Sequence, residues 1–346
     1  MDTLQLLKDL IRIPSFSREE KEACDFLEAW MRNEGFEVQR KGNNLWVESS
    51  VPDDRPTILL NAHIDTVRPA AGYTRDPFTP VEEDGKLYGL GSNDDGGSLV
   101  ALLEAYVRLT EHPQPYRLLF TATAEEEISG PGGIESILPD LGKVDFGVIG
   151  EPTGMNMAVA EKGLMVLDCT VRGKSGHAAR DEGVNAIYKA LGPIEWFRDY
   201  TFPKISPFLG PVKMSVTQVN AGTQHNVIPD VCAFVVDVRA NGLYSNAELL
   251  EIIKHSVECE VRERSTRLGS SSLSMDHPVV RRGLSLGLTP FGSPTTSNQA
   301  LVPFPTLKIG PGDSARSHSA DEFILLTEIR SAVETYVNLL DGLALD

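Results

Sequence analysis

Apolar residues recur at helical spacing from the start of the chain. Leu4, Leu7, Leu10 and Ile11 share one face, and Pro14 closes the run. Ser17 followed by Glu20 has the form of a capping box. It opens a second amphipathic helix with Phe26, Leu27, Trp30 and Met31 on one face, and Gly35 supplies its C-terminal stop. Short apolar runs follow at 45–47, 57–60, 118–120 and 146–149, and a helical pattern over 98–109 lies between the second and third. Buried strands alternating with helices predict an α/β domain around a central sheet.

The pattern changes near Lys162. A strand over 164–171, a helix over 184–200, a half-exposed strand through Val212, Met214 and Val216, a strand over 232–238 and a helix over 248–259 predict a small α+β sandwich. The Ser-rich stretch 269–274 reads as a hinge back to the first domain, where 307–309 adds one more strand. The domains expected are 1–161 with 275–346, and 162–274.

Polar clusters follow three of the first domain's apolar runs. His63 and Asp65 follow 57–60, Glu125-Glu126-Glu127 follows 118–120, and Glu151 follows 146–149. Ligands in open α/β sheets bind beyond the carboxyl ends of the strands, so these groups converge on one rim. His63 and Asp65, two apart, point to the same side, as a metal-ligating imidazole and its orienting carboxylate do. A satisfied polar pair has the same spacing. The glycine-rich loop 89–97 carries Asp94 and Asp95, which would repel a phosphate, and it lacks the lysine of a phosphate loop. The alternatives are an acidic turn or a cation at Asp94. Three consecutive carboxylates after a buried strand need either solvent or a cation. Gly310-Pro311-Gly312 precedes His318, Asp321 and Glu322. His63, Asp94, Glu127, Glu151 and His318 form a nitrogen and oxygen donor set without sulfur. Such a set suits two Zn²⁺ ions, with Co²⁺ or Mn²⁺ as substitutes.

Composition narrows the reading in a few places. The 346 residues fit about two domains. A net charge of −17 argues against nucleic acid and anionic membranes as partners. Cys24, Cys169, Cys232 and Cys259 show no CxxC spacing, which argues against a thiolate zinc site and suits a reducing compartment. No basic-apolar leader opens the chain, and no apolar run reaches the roughly 18 residues of a membrane span, so the cytoplasm is expected.

The ordered motifs Asn61-Ala62-His63-Ile64-Asp65-Thr66-Val67, 89–97, Thr123-Ala124-Glu125-Glu126-Glu127, Gly150-Glu151-Pro152-Thr153, 173–177 and 310–322 cover nearly the whole chain. The chain resembles the family of acetylornithine deacetylase, succinyl-diaminopimelate desuccinylase, aminoacylase and glutamate carboxypeptidase, most of all acetylornithine deacetylase. The resemblance implies a catalytic domain with a central mixed sheet flanked by helices, and an inserted lid and dimerisation domain. It implies that His63, Asp94 and Glu151 hold one cation, that Asp94, Glu127 and His318 hold the other, and that Asp65 steers His63. Glu126 becomes the general base. A one-residue shift of register would make Glu125 the base and Glu126 the ligand. In the inserted domain His177 would serve the partner subunit's active site of a homodimer, and Asn226 and Arg239 would contact substrate. Ser297 and Asn298 fall in a stretch expected to line the substrate pocket.

Two departures stand out. The family often has Asp-Met-Lys-Gly where this chain has Asp94-Asp95-Gly96-Gly97. Some members have Thr-Ser-Asp-Gly-Arg where it has Thr296-Ser297-Asn298-Gln299-Ala300. The implied activity is hydrolysis of a small N-acyl amino acid such as acetylornithine, acetylcitrulline or a succinyl equivalent, in arginine biosynthesis. Desuccinylase, aminoacylase and dipeptidase activities stand as alternatives. A non-catalytic metabolite-binding relative is the alternative of another class.

Overall fold

The computed structural model describes residues 2–50, 54–180 and 182–345. The chain divides into two compact units. The first comprises Met1–Val159, Leu273–Phe291 and Ser297–Asp346, and the second Ala160–Ser272 and Gly292–Thr296.

The first unit is built on a mixed sheet. Strands Arg117–Thr123, Thr57–His63, Phe146–Ile149 and Thr306–Lys308 lie side by side and run parallel. Strand Asn44–Glu48 pairs antiparallel outside Arg117–Thr123, and Met157–Glu161 is antiparallel to Thr306–Lys308 at Ala158. Every residue of Thr57–His63 is buried, as a strand covered on both faces requires. Helices Thr3–Ile11, Gly97–Thr110 and Leu326–Leu340 contribute Leu6, Leu7, Leu99, Leu103, Val333 and Tyr336 to one core, shared with Ile58, Leu60 and Phe120 of the sheet. Each such large apolar side chain is worth about 1.5–3 kcal/mol when fully buried.

The second unit is an antiparallel sheet of order Lys213–Ala221, Val231–Ala240, Gly163–Arg172 and Glu260–Glu263. Side chains of Gly163–Arg172 alternate between buried and half-buried. The buried set, Met165, Leu167, Cys169 and Val171, shares a core with Phe197 and Ala190 of helix Ala186–Asp199 and Ile253 of helix Asn246–Ser256.

Some local expectations fail. Ser17 does not cap the second helix, Lys21–Asn33, whose N-cap is Glu20 without a side-chain bond. The Ser17 hydroxyl donates to Asp65 Oδ2 at 2.7 Å, and Glu20 accepts from the backbone N–H of Arg18 and of Glu125. A buried tertiary acceptor outcompetes the local cap. Helices Ile134–Leu141, Pro278–Ser285 and Leu326–Leu340 add to the elements read from sequence. Among the described residues no helix is long and apolar enough to cross a membrane.

Candidate metal centre

The parallel strands act as a comb. His63 is the last residue of its strand and sits in register with Thr123, the last of the next. Asn61 is opposite Ile149 on the other side, two residues before Glu151. Lys308 is also opposite Ile149, and the chain beyond it leads to His318. Chains leaving four parallel strands at one level bring distant polar residues to one rim.

The side chains meet there. His63 Nδ1 lies 2.9 Å from the backbone carbonyl of Asp65. A carbonyl only accepts, so Nδ1 carries a proton and Nε2 is the nitrogen turned toward the acidic cluster. That Nε2 is 3.1 Å from Asp94 Oδ1. The other Asp94 oxygen, Oδ2, is 3.8 Å from His318 Nε2. The two oxygens of one carboxylate therefore face two different imidazoles. His318 Nε2 also lies 2.9 Å from Glu127 Oε2. Ligand atoms of His63, Glu126 and Glu151 lie within 4.8 Å of one another, as do those of His63, Asp94 and Glu127.

The backbone of the glutamate triplet gives its three carboxylates different surroundings. Glu125 has φ 55, in the left-handed region. Its carboxylate turns back and accepts from Gly132 N–H at 3.2 Å. A Cβ at Gly130 or Gly132 would fall 1.9 or 2.4 Å from a Glu125 oxygen, so only glycine permits this packing. Glu127 reaches His318. Glu126 comes no closer to His63 Nε2 than 3.9 Å, and among the described residues no side-chain hydrogen bond engages its carboxylate.

Electrostatics follow from crowding acids in a buried place. Burial, with the charges of Glu127, Asp65 and Asp94, pushes Glu126 well above the usual carboxylate range. Burial, with Glu126 and Asp94, does the same to Glu151, and burial raises Glu127. Burial would lower His63, but hydrogen bonds to Asp65 and Asp94 outweigh it and hold the ring well above the ordinary histidine value. The Glu127 hydrogen bond raises His318 to about 9. Carboxylates thus outnumber the cationic groups acting on them. The all-oxygen-and-nitrogen donor set, facing inward and short of positive charge, fits divalent cations.

Several positioning contacts were not legible in sequence. Asp65 is 1% exposed, and its carboxylate accepts from Glu126 N–H at 3.0 Å and Glu127 N–H at 3.1 Å. It therefore ties the glutamate turn to the histidine strand as well as lying 3.4 Å from the His63 ring. Glu322 accepts from the backbone of the Asp94 loop. Asp95, where the family often has methionine, is buried, accepts from His63 N–H at 3.3 Å and is pushed by burial up to about 7.

The remaining expected site residues have local partners of their own. In the first unit, Asn298 is buried and donates to Asn61 Oδ1 at 3.0 Å and Thr123 Oγ1 at 3.2 Å. Ser297, also buried, accepts from Gln299 N–H at the start of a short 3₁₀ turn. In the second unit, His177 is exposed and its Nδ1 accepts from Ala179 N–H. The exposed Asn226 accepts through its backbone from Ala178 N–H. Arg239 spends its fork on Asp237, at 2.8 and 3.0 Å, with a third bond to Thr296 Oγ1.

Residues 59–342 match the family model of peptidase family M20/M25/M40. The chain is 28% identical to acetylornithine deacetylase of Proteus mirabilis strain HI4320, over 99% of this chain and 97% of that protein. It is 24% identical to succinyl-diaminopimelate desuccinylase 2 of Ruegeria sp. strain TM1040, over 98% and 94%. Its fold matches the crystal structure of the Bacillus subtilis YXEP protein, described as a dinuclear metal-binding peptidase, with TM-score 0.73 and 18% identity over 97% and 96% of the two chains. The chain belongs to peptidase family M20/M25/M40 and is a metallo-hydrolase.

Proposed function

We propose that this enzyme hydrolyses the amide bond of a small N-acyl amino acid, using two divalent cations held by His63, Asp94 and Glu151 on one side and by Asp94, Glu127 and His318 on the other. The observation that carries the reading is the Asp94 carboxylate, whose two oxygens face His63 and His318 separately. Zn²⁺ suits this donor set, with Co²⁺ or Mn²⁺ as substitutes. Bound cations supply positive charge that polarises the amide carbonyl and acidifies water.

The protein's own groups do the rest. Glu126 accepts the proton of the attacking water and returns it to the leaving amine. It suits that task because Glu125 is tied to Gly132 and Glu127 to His318, which leaves Glu126 uncommitted. Asp65 holds the Glu126 and Glu127 amides and so aims the base. On this reading His177 stabilises the oxyanion, and Arg239 and Asn226 contact substrate. Arg239 must then share its fork between Asp237 and a substrate carboxylate.

Acetylornithine, acetylcitrulline and their succinyl forms are the favoured substrates, by likeness to the Proteus deacetylase. A homodimer is supported on the second unit by Ile187, Tyr188 and Leu191, neighbours on one helix face and 38%, 73% and 53% exposed. The edge strand Lys213–Ala221 beside them is largely exposed. Four free thiols are in keeping with the cytoplasm.

The test pairs two variants. Glu126→Gln should keep both metals and lower kcat by about 10²-fold or more. Glu125→Gln should stay within about threefold of wild type, since its carboxylate serves a turn. Near-normal turnover in Glu126→Gln would remove it as base. Rates on acetylated and succinylated ornithine and citrulline and on a dipeptide panel identify the substrate.

A further inference from the structure

The loop that carries Asp94 has little regular structure of its own. Gly91 has φ 75, and Asp94 and Asp95 leave helical geometry. Three of its backbone N–H groups point at one carboxylate from the other end of the chain. Glu322 Oε2 accepts from Gly91 at 3.1 Å, and Oε1 accepts from Asn93 at 2.9 Å and Asp94 at 3.0 Å. The Glu322 carbonyl accepts a fourth, from Gly89 at 3.0 Å. The side chain is 2% exposed, so water does not compete for these bonds. Asn93 makes a second seam. Its amide donates to the Asp313 carbonyl and the Ser317 hydroxyl, and its Oδ1 accepts from Asp313 N–H. Glu322 lies four residues beyond His318. The segments bearing Asp94 and His318 are thereby sewn together.

We infer that Glu322 is a positioning residue of the metal centre, which fixes the Asp94 carboxylate relative to His318 by gripping the backbone of the Asp94 loop. Its own oxygens are spent on N–H groups, and neither group of clustered ligand atoms includes it. This inference rests on the reading that Asp94 bridges two cations. Groups that orient a ligand without touching the metal typically change metal affinity or activity by about 10–100-fold.

The experiment uses full-length, metal-stripped protein titrated calorimetrically with Zn²⁺, with thermal melts of the metal-free form alongside. Glu322→Gln keeps the size and one acceptor oxygen, but it turns an amide N–H₂ toward a backbone N–H. Glu322→Ala removes every acceptor. The expected result is weaker binding of at least one Zn²⁺, by about 10-fold in Glu322→Gln and up to about 100-fold in Glu322→Ala. Turnover at limiting Zn²⁺ should fall, recover as Zn²⁺ is raised, and show an unchanged KM. Wild-type Zn²⁺ affinity in both variants, with only a lower melting temperature, would make Glu322 a scaffold residue and overturn the inference. If Glu322→Ala does not fold, Glu322→Gln decides. Asp94→Asn run in parallel separates the two claims. Loss of tight Zn²⁺ binding there with none in the Glu322 variants rejects the inference alone. Intact binding in Asp94→Asn rejects the bridging reading and the inference with it.

Discussion

Removing metal should make the protein's stability fall as pH rises, and adding metal should abolish that dependence. His318 shows why. Its hydrogen bond to Glu127 holds the ring at about 9, against an ordinary 6.5. A group whose folded-state value is raised contributes stability in full below the unfolded value and loses it as pH climbs through the folded one. The window is therefore about pH 6.5 to 9. At about 1.36 kcal/mol per pKa unit the shift corresponds to at most about 3.4 kcal/mol. The side chain is 53% exposed, so screening reduces this to roughly 1–1.5 kcal/mol. Glu126 and Glu151 act with the same sign. Their folded-state values are raised, so ionising them burdens the fold increasingly as pH rises above the usual carboxylate range. Divalent metal replaces the proton on His318 and offsets the carboxylate charge, adding about 2.7 kcal/mol per site at a hundred times Kd. One kcal/mol moves a melting temperature by roughly 2–4 °C in a domain of this size. The gap between metal-loaded and chelated melting temperatures should therefore widen by roughly 2–6 °C from pH 6.5 to 9. Titration in two buffers of different ionisation enthalpy should show proton release on metal binding at pH 7. A constant gap across this range, or binding without proton release, would refute the reasoning.

Two further outcomes follow from contacts already described. Asp65→Asn removes charge from an acceptor shared by Glu126 N–H, Glu127 N–H and Ser17. It should cost about 1.5–3 kcal/mol in urea unfolding and lower kcat by about 10–100-fold, and wild-type values of both would show that the glutamate turn holds itself. Leu191→Asp places a charge amid Tyr188 and Ile187 and should convert a homodimer to monomer at micromolar concentration. Light scattering reads this directly, and a wild-type protein monomeric at tens of micromolar would end the dimer proposal.

The rim of the sheet was legible because its logic is one-dimensional. An apolar run long enough to be a buried strand, followed at once by acids or histidine, places those groups at the strand's exit, and parallel strands share one exit side. That rule put His63, the glutamate triplet and Glu151 on the rim, and His318 was read from its place after the Gly-Pro-Gly turn. Helix Leu326–Leu340 was there to be read, since Ile329, Val333, Tyr336 and Leu340 keep helical spacing and are buried. The supports of the site were not legible. Ser17 and Glu20 look like a local cap, yet their partners are Asp65 and the Glu125 backbone, 48 and 105 residues away. No spacing rule reports such a partner.

The glutamate triplet marks where one-dimensional reading stops. Three adjacent, chemically identical carboxylates admit two registers, and composition and period are the same in both. Backbone geometry adds what composition lacks: Glu125 is left-handed, Gly130 and Gly132 leave room for its side chain, and its carboxylate turns to Gly132 N–H, an arrangement that supports the proposed register. The function proposed for this rim therefore rests on turn geometry as much as on residue type. Asp65 and Glu322 reinforce the point, because each spends its charge on the backbone amides of a loop proposed to carry ligands. A buried carboxylate gripping N–H groups is stabilising only while those amides stay where they are. The same bonds that satisfy the two acids thus hold the backbone of Glu126, Glu127 and Asp94 in the arrangement the proposed chemistry needs.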